Sequence, residues 1–197
     1  MGGLFFIIGL PRSRTAWLAN LFNTESVMCY HDILATYEDK DIEGVLQTTY
    51  DVYGKKYVGV ADTYPVKALC LRRMLPEAPI VVVEREPAEV VYSMTRAFPE
   101  IMGDARVLGE FRKFIIASLE ALEFIKKMKG VTVFQYGDLE QPETVKRIWG
   151  LCCPDVRFDD KRANFLQGMK VTVNYSTFGG ALSYMAAQKR SFSVTIH

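Results

Sequence analysis

Arg12, Ser13, Arg14 and Thr15 put two cations and two hydroxyls into four consecutive positions. Such a set takes an anion when backbone amides and the positive end of a helix dipole point at the same spot. The flanking sequence supplies that frame. Residues 4–10 form an unbroken apolar run, LFFIIGL, followed by Pro11, the pattern of a strand buried on both faces. Residues 15–23 carry Trp17, Leu18, Leu21 and Phe22 at helical spacing. Strand, tight polar loop and helix follow one another with no spare residues, and the loop reads as a phosphate cradle.

A second stretch points to the same chemistry. Residues 79–84, PIVVVE, read as another buried strand, followed by Arg85, Glu86 and Pro87 and a helical segment carrying Ser93. An Arg at a strand end, a Pro able to open the next helix and a Ser about two turns in converge on one side of a parallel sheet. Taken together, the two stretches resemble the sulfotransferases that use 3′-phosphoadenosine 5′-phosphosulfate (PAPS). That family has a loop of the form Pro-(Lys/Arg)-Ser-Gly-Thr-x-(Trp/Leu), and a later strand–Arg–x–Pro–helix element with Ser eight residues after the Arg. Arg85 and Ser93 have that spacing, and the stretch from Pro11 to Trp17 follows the first pattern except that Arg14 stands where Gly is usual. Residues 57–65 and 131–139 resemble two further strands of the family, so the likeness runs from residue 4 to about residue 150. The Asp-Lys-Thr-Pro turn of many members is replaced here by Ala61-Asp62-Thr63-Tyr64-Pro65.

The resemblance implies a PAPS-dependent sulfotransferase that needs no metal and releases adenosine 3′,5′-bisphosphate (PAP). It implies that Pro11, Arg12, Ser13, Arg14, Thr15, Ala16 and Trp17 hold the 5′ phosphosulfate end. Arg12 offsets the charge that builds on the bridging oxygen, and Arg85 and Ser93 hold the 3′ phosphate. Tyr136 matches a Tyr near the adenine. Trp17 matches a position whose indole stacks on adenine, and a core position fits it equally well. His31 and Asp32 follow the first helix, where the family carries the base that takes the acceptor's proton. An imidazole suits that task without tuning, a carboxylate also serves, and spacing does not choose between them. Asp138 is expected to cap the helix that follows it, and Glu84 and Asp62, at strand ends, to fix Arg12 or Arg85. The late basic, Gly-containing segment of the family has only Phe178-Gly179-Gly180 and Lys189-Arg190 as candidates. Two other readings stay open: a nucleotide-binding protein without transfer chemistry, and a P-loop nucleotide kinase. The loop has neither the Gly nor the Lys positions of a magnesium-binding kinase loop, which disfavours the second.

Composition frames these readings. The chain has 197 residues, 49% of them hydrophobic, and a formal net charge of +1. That is enough for one domain with a real core. Without an excess of Lys and Arg, binding to nucleic acid through general electrostatics is not expected. The first apolar run is too short to span a membrane or to form a signal-peptide core, so the expected location is cytoplasmic. Cys29, Cys70, Cys152 and Cys153 have no framework spacing and read as reduced thiols. With only His31 and His197, no metal site is expected. The acceptor, a small molecule or a peptide, and the oligomeric state are not legible.

Strands at 4–10, 57–61, 80–83 and 131–134 alternate with helical patterns, with a further short strand at 26–30. Helices are expected at 41–53, 65–75, 106–129, with Gly130 as its stop, and 139–149. The pattern predicts a single-domain, three-layer, P-loop-like α/β fold over 1–197 with a mainly parallel central sheet flanked by helices. Residues 152–197 form a C-terminal cap in this reading, with a helix at 159–169 and a strand at 170–175.

Overall fold

The computed structural model describes residues 3–35, 37 and 39–169. Five strands, β1 (Gly3–Gly9), β2 (Val27–His31), β3 (Tyr57–Asp62), β4 (Ile80–Glu84) and β5 (Val131–Gln135), form one sheet in the order β2-β3-β1-β4-β5. Every pairing is parallel. Parallel neighbours need crossovers, and the helices between the strands provide them. The result is the three-layer α/β architecture that the alternation of strand and helix patterns predicts.

Strand alternation divides the core into two layers. Phe6 and Ile8 of β1, with Val58, Val60, Ile80 and Val82, face one side. There they meet α2 (Asp39–Tyr53), α3 (Pro65–Met74), α4 (Pro87–Ala97), α5 (Pro99–Met102) and α6 (Ala105–Lys126). Phe5 and Ile7, with Val81, Val83 and Phe134, face the other, against α1 (Thr15–Phe22), α7 (Pro142–Cys152) and α8 (Asp160–Gln167). Both faces of β1 are therefore covered, which is why its sequence is continuously apolar instead of alternating. Gly59 of β3 makes room for the ring of Phe5: a Cβ there would lie 2.2 Å from it.

The strand order sets where a ligand can reach. The chain leaves β1 toward β2 and β3 on one side, while β4 and β5 lie on the other. The loops after β1 and β4 thus diverge, opening a crevice at the carboxyl ends of two adjacent strands, the general binding position in open α/β sheets.

Most helix ends lie within a residue or two of the sequence expectation, and two helices and one short turn depart from it further. The helix expected at 106–129 ends at Lys126, because residues 127 and 128 tighten into i→i+3 bonds (Lys127 N to Phe124 O, 3.2 Å; Met128 N to Ile125 O, 2.9 Å). Gly130, with φ of +77°, then makes the turn into β5. The helix expected at 139–149 splits: Tyr136–Glu140 is a 3-10 turn, and Pro142 opens α7. Asp138 accordingly does not cap that helix. Gln141 holds the cap position and makes no side-chain cap bond. The short α5 is a single turn opened by Pro99, too brief to show a helical period in the sequence.

Asp159 caps α8 by accepting from Arg162 N at 3.0 Å. Arg162 in turn donates to the carbonyls of Asn20 (2.6 Å) and Leu21 (3.3 Å) at the C-terminal end of α1. Carbonyls at a helix C-terminus are short of intrahelical donors, and Asn20 O otherwise accepts only from the cap residue Asn23 N at 3.3 Å, so a cation there both helps satisfy them and complements the dipole. The strand expected at 170–175, and the Phe178-Gly179-Gly180 and Lys189-Arg190 candidates, lie outside the described residues.

Candidate functional site

The loop after β1 owes its shape to one close approach and two left-handed residues. A Cβ on Gly9 would meet the Val83 carbonyl at 2.9 Å and Ser13 Cβ at 3.1 Å, so only Gly lets the loop fold back over the strand end. Ser13 N donates to Leu10 O at 3.2 Å, closing the turn. Arg12 and Arg14 have φ of +67° and +61°. This is the region where L-residues pay a steric cost and Gly does not. At position 14 the backbone therefore keeps the conformation that explains a Gly in the related pattern, although the side chain is Arg.

Arg14 is the N-cap of α1 and makes no side-chain cap bond. The first-turn amides, from Thr15 and Ala16 onward, have no intrahelical acceptor and open toward the loop. Ser13 Oγ is fully buried without a hydrogen-bond partner, and Thr15 is buried beside it in sequence. Pro11 and Ala16 are half-buried at the two ends of the loop. Trp17 is only 6% exposed and packs in the core layer with α7 and α8, so of its two readings the core one describes its position.

The second element arrives at the same place. Arg85 leaves the end of β4, and its Nη1 donates to the carbonyl of Arg12. Arg12 Nε donates to Ser93 Oγ, 3.2 Å away on α4. Three residues drawn from two loops and a helix, 81 positions apart at the extreme, are thereby joined. Tyr136, from the 3-10 turn after β5, closes the group: the Arg85 guanidinium lies 4.0 Å from its ring centroid and that of Arg14 5.5 Å away. Both are within cation–π range.

Guanidiniums outnumber carboxylates in this crevice. Arg85 Nε meets Glu89 at 3.4 Å and Arg14 Nη2 meets Glu140 at 3.3 Å, both carboxylates largely exposed at the rim. Arg12 has no carboxylate partner among the described residues. Three guanidiniums, the Ser93 and Thr15 hydroxyls and a helix N-terminus make a donor set that fits a polyanion with more than one charged group.

Glu84 and Asp62 do not fix these arginines. Glu84 accepts from Lys126 Nζ and Gln135 Nε2, each at 2.7 Å, and these bonds hold its carboxyl below the usual range. Asp62 turns to backbone instead, accepting from Leu34 N and Tyr64 N, each at 2.8 Å. Both strand ends already have nearer donors, so their carboxylates are used up before either arginine is reached.

His31 and Asp32 lie at the end of β2, on the α1 side of the crevice. His31 Nε2 is 3.2 Å from Thr15 Oγ1 and 3.4 Å from Asp32 Oδ2. The other oxygen of Asp32 accepts from Thr63 N (3.0 Å) and Thr63 Oγ1 (2.9 Å). The imidazole is thus linked by one hydroxyl to the anion loop. Both of these contacts use Nε2. The brace from Thr63 and the rim carboxylate Glu140 carry no sequence signal; both are found only once the loops are brought together. Among the described residues, no group of three or more His, Cys, Asp or Glu is placed to hold a metal ion, and no helix is long and apolar enough to cross a membrane. The four cysteines form no disulfide with one another.

No protein-family model matches the chain, and no curated protein matches it. Solved structures do. A sulfotransferase from Alicyclobacillus acidocaldarius superposes with a TM-score of 0.58 at 10% identity, over 95% of each chain. The sulfotransferase domain from the curacin biosynthetic pathway gives 0.57 at 17% identity, covering 89% of this chain and 81% of that one. Mouse sulfotransferase SULT7A1, complexed with PAP, gives 0.56 at 14% identity, covering 87% and 68%. The chain has the sulfotransferase fold.

Proposed function

We propose that this protein transfers a sulfuryl group from PAPS to a hydroxyl or amine of an acceptor. The observation that carries the reading is the joining of Arg12, Arg85 and Ser93 at the crevice between β1 and β4. Those residues come from the two stretches that resemble the PAPS-binding elements, and the complex of a fold relative with PAP is in keeping with it. The excess of guanidiniums in the crevice suits a nucleotide carrying a phosphate at each end of its ribose.

When bound, PAPS supplies an activated sulfuryl group whose leaving oxygen gains charge as the bond to sulfur breaks. Arg12 is the cation for that oxygen: among the described residues it has no carboxylate to neutralise it, and Ser93 accepts from its Nε. Such a preorganised charge acts mainly in the transition state. Arg85 and Ser93 hold the 3′ phosphate, and the amides of Thr15 and Ala16 the 5′ end. His31 takes the acceptor's proton at Nδ1, while Asp32, braced by Thr63, accepts from Nε2–H and fixes the tautomer. In this assignment Asp32 is a positioning residue. No metal has a part in these roles.

Arg14 is the feature that favours a binding protein without transfer chemistry, since it replaces a Gly. Its side chain leaves the loop for Glu140 and Tyr136, so it does not fill the cradle.

Calorimetry with PAP and AMP tests the nucleotide reading. PAP should bind at least about tenfold more tightly, since a buried bidentate phosphate contact contributes a few kcal/mol. Arg85→Ala should erase that preference while leaving the melting temperature near wild type. Equal affinity for the two nucleotides in the wild type would refute the 3′-phosphate assignment. Transfer of labelled sulfate from PAPS across an acceptor panel then separates an enzyme from a binding protein.

A further inference from the structure

Each arginine that flanks Tyr136 is held by one exposed carboxylate. Arg85 has Glu89, four residues on, in the first turn of α4. Arg14 has Glu140, from a different loop 126 positions away, at 3.3 Å. The Arg14 side chain is 30% exposed and that of Glu140 70%, so the pair sits at the mouth of the crevice.

We propose that Arg14 is an additional anion contact at the Arg85 end of the crevice, and that Glu140 is its internal competitor, displaced when the ligand binds. The inference rests on the PAPS reading above. Three features carry it. Arg14 and Arg85 lie over the same tyrosine ring, so a phosphate held by Arg85 comes within the field of both guanidiniums. Arg14 keeps a left-handed backbone, φ +61°, in which Gly is unstrained, so the side chain is retained against a conformational cost. Glu140 ends a 3-10 turn with most of its surface in water, and its carboxylate returns to solvent with little loss when Arg14 turns inward. An exposed pair of this kind is weak, and a phosphate dianion that brings two parallel hydrogen bonds displaces it.

Displacement has a measurable consequence. Every binding event breaks the Arg14–Glu140 pair, so removing the competitor tightens binding by what the pair contributes. Exposed pairs amount to about two- to fivefold in an equilibrium constant. Removing Arg14 removes both the contact and the competition. The two substitutions must therefore be non-additive.

Four proteins decide it by calorimetry at low salt: wild type, Glu140→Gln, Arg14→Gly and the double variant, each titrated with PAP and with AMP. Glu140→Gln should bind PAP about two- to fivefold more tightly and AMP as the wild type does. Arg14→Gly should bind PAP roughly tenfold more weakly, and adding Glu140→Gln to it should restore nothing. Thermal melts of all four establish that each is folded. A Glu140→Gln protein with unchanged or weaker PAP affinity overturns the inference. So does an Arg14→Gly protein that binds PAP as the wild type does, or an equal gain for PAP and AMP. If the wild type itself does not prefer PAP to AMP, the nucleotide reading falls and takes this inference with it. A wild type that prefers PAP while Glu140→Gln changes nothing overturns this inference alone.

Discussion

Asp32 and Asp62 brace each other's loops. Asp32, after β2, accepts from the backbone and hydroxyl of Thr63, after β3. Asp62, at the end of β3, accepts from Leu34 N, after β2. The two loops are thereby crossed like a laced pair, and the lacing holds His31 at the mouth of the crevice. It also sets two carboxylates close together, one of them fully buried.

That burial, reinforced by the neighbouring Asp32 charge, pushes Asp62 up from 3.8 to about 7. Between those values the folded protein holds a proton that the unfolded chain has released. Raising the pH through the window therefore favours unfolding, and the contribution of Asp62 to stability is largest near pH 4 and gone above about 7. The carboxyl of Glu84 is shifted the other way, below its ordinary 4.5, so its contribution is lost only as the pH falls below that value. Melting temperature should accordingly rise as the pH drops from about 7.5 to 5. Asp62→Asn should flatten this slope whatever it does to absolute stability. A wild-type melting temperature that is level or falls over the same range would contradict the assignment.

His31 and Asp32 should differ in kind. His31→Ala should cut sulfuryl transfer by roughly a hundredfold or more with little change in PAP affinity. Asp32→Asn keeps one acceptor for Thr63 and loses only the charge toward Nε2, so a loss of roughly tenfold is expected. The opposite ranking in single-turnover rates would make Asp32 the base.

Glycines at two strand positions carry different loads. Gly59→Ala drives a Cβ into the Phe5 ring and should destabilise the fold by about 1–3 kcal/mol, read by urea melts, while nucleotide affinity per folded molecule stays level. Gly9→Ala instead presses on Ser13 and the Val83 carbonyl. It should weaken PAP binding as well as stability, because it moves the loop that carries Arg12.

Thiol labelling offers an independent check on the core. Burial pushes the Cys29 and Cys152 thiols well up and that of Cys153 up to about 12, and the thiolate is the reactive form. Cys70 is half-buried. Iodoacetamide should modify Cys70 first in the native protein and reach the other three only on unfolding. Rapid native labelling of Cys153 would show that α7 does not pack as described.

Much of this was legible in the sequence because it rests on local pattern. The continuous apolar runs of β1, β3 and β4 announce strands covered on both faces, and Pro65 and Pro87 mark helix starts. Arg12, Arg85 and Ser93 were identifiable from spacing within two stretches, and the fold brings them together. What was not legible depends on contacts between distant loops. Glu84 and Asp62 read as partners for the arginines, yet Lys126 and the Leu34 amide, unremarkable in sequence, are nearer. The end of α6 at Lys126 is not legible because residues 127–129 continue a helical composition, and only the turn into β5 stops them. Glu140 had no sequence signal because its partner is 126 positions away.

Left-handed Arg12 and Arg14 set two selection pressures against each other. Each non-Gly residue in that region costs roughly 1 kcal/mol of folding free energy, a cost present whether or not any ligand is bound. A library screened on heat resistance alone would therefore drift toward Gly or Asn at positions 12 and 14, and its most robust members would be the ones least able to hold an anion. The same drift run in reverse, under demand for nucleotide, would restore arginine and lower the melting temperature. In this fold the phosphate loop is the place where thermostability is a poor proxy for fitness.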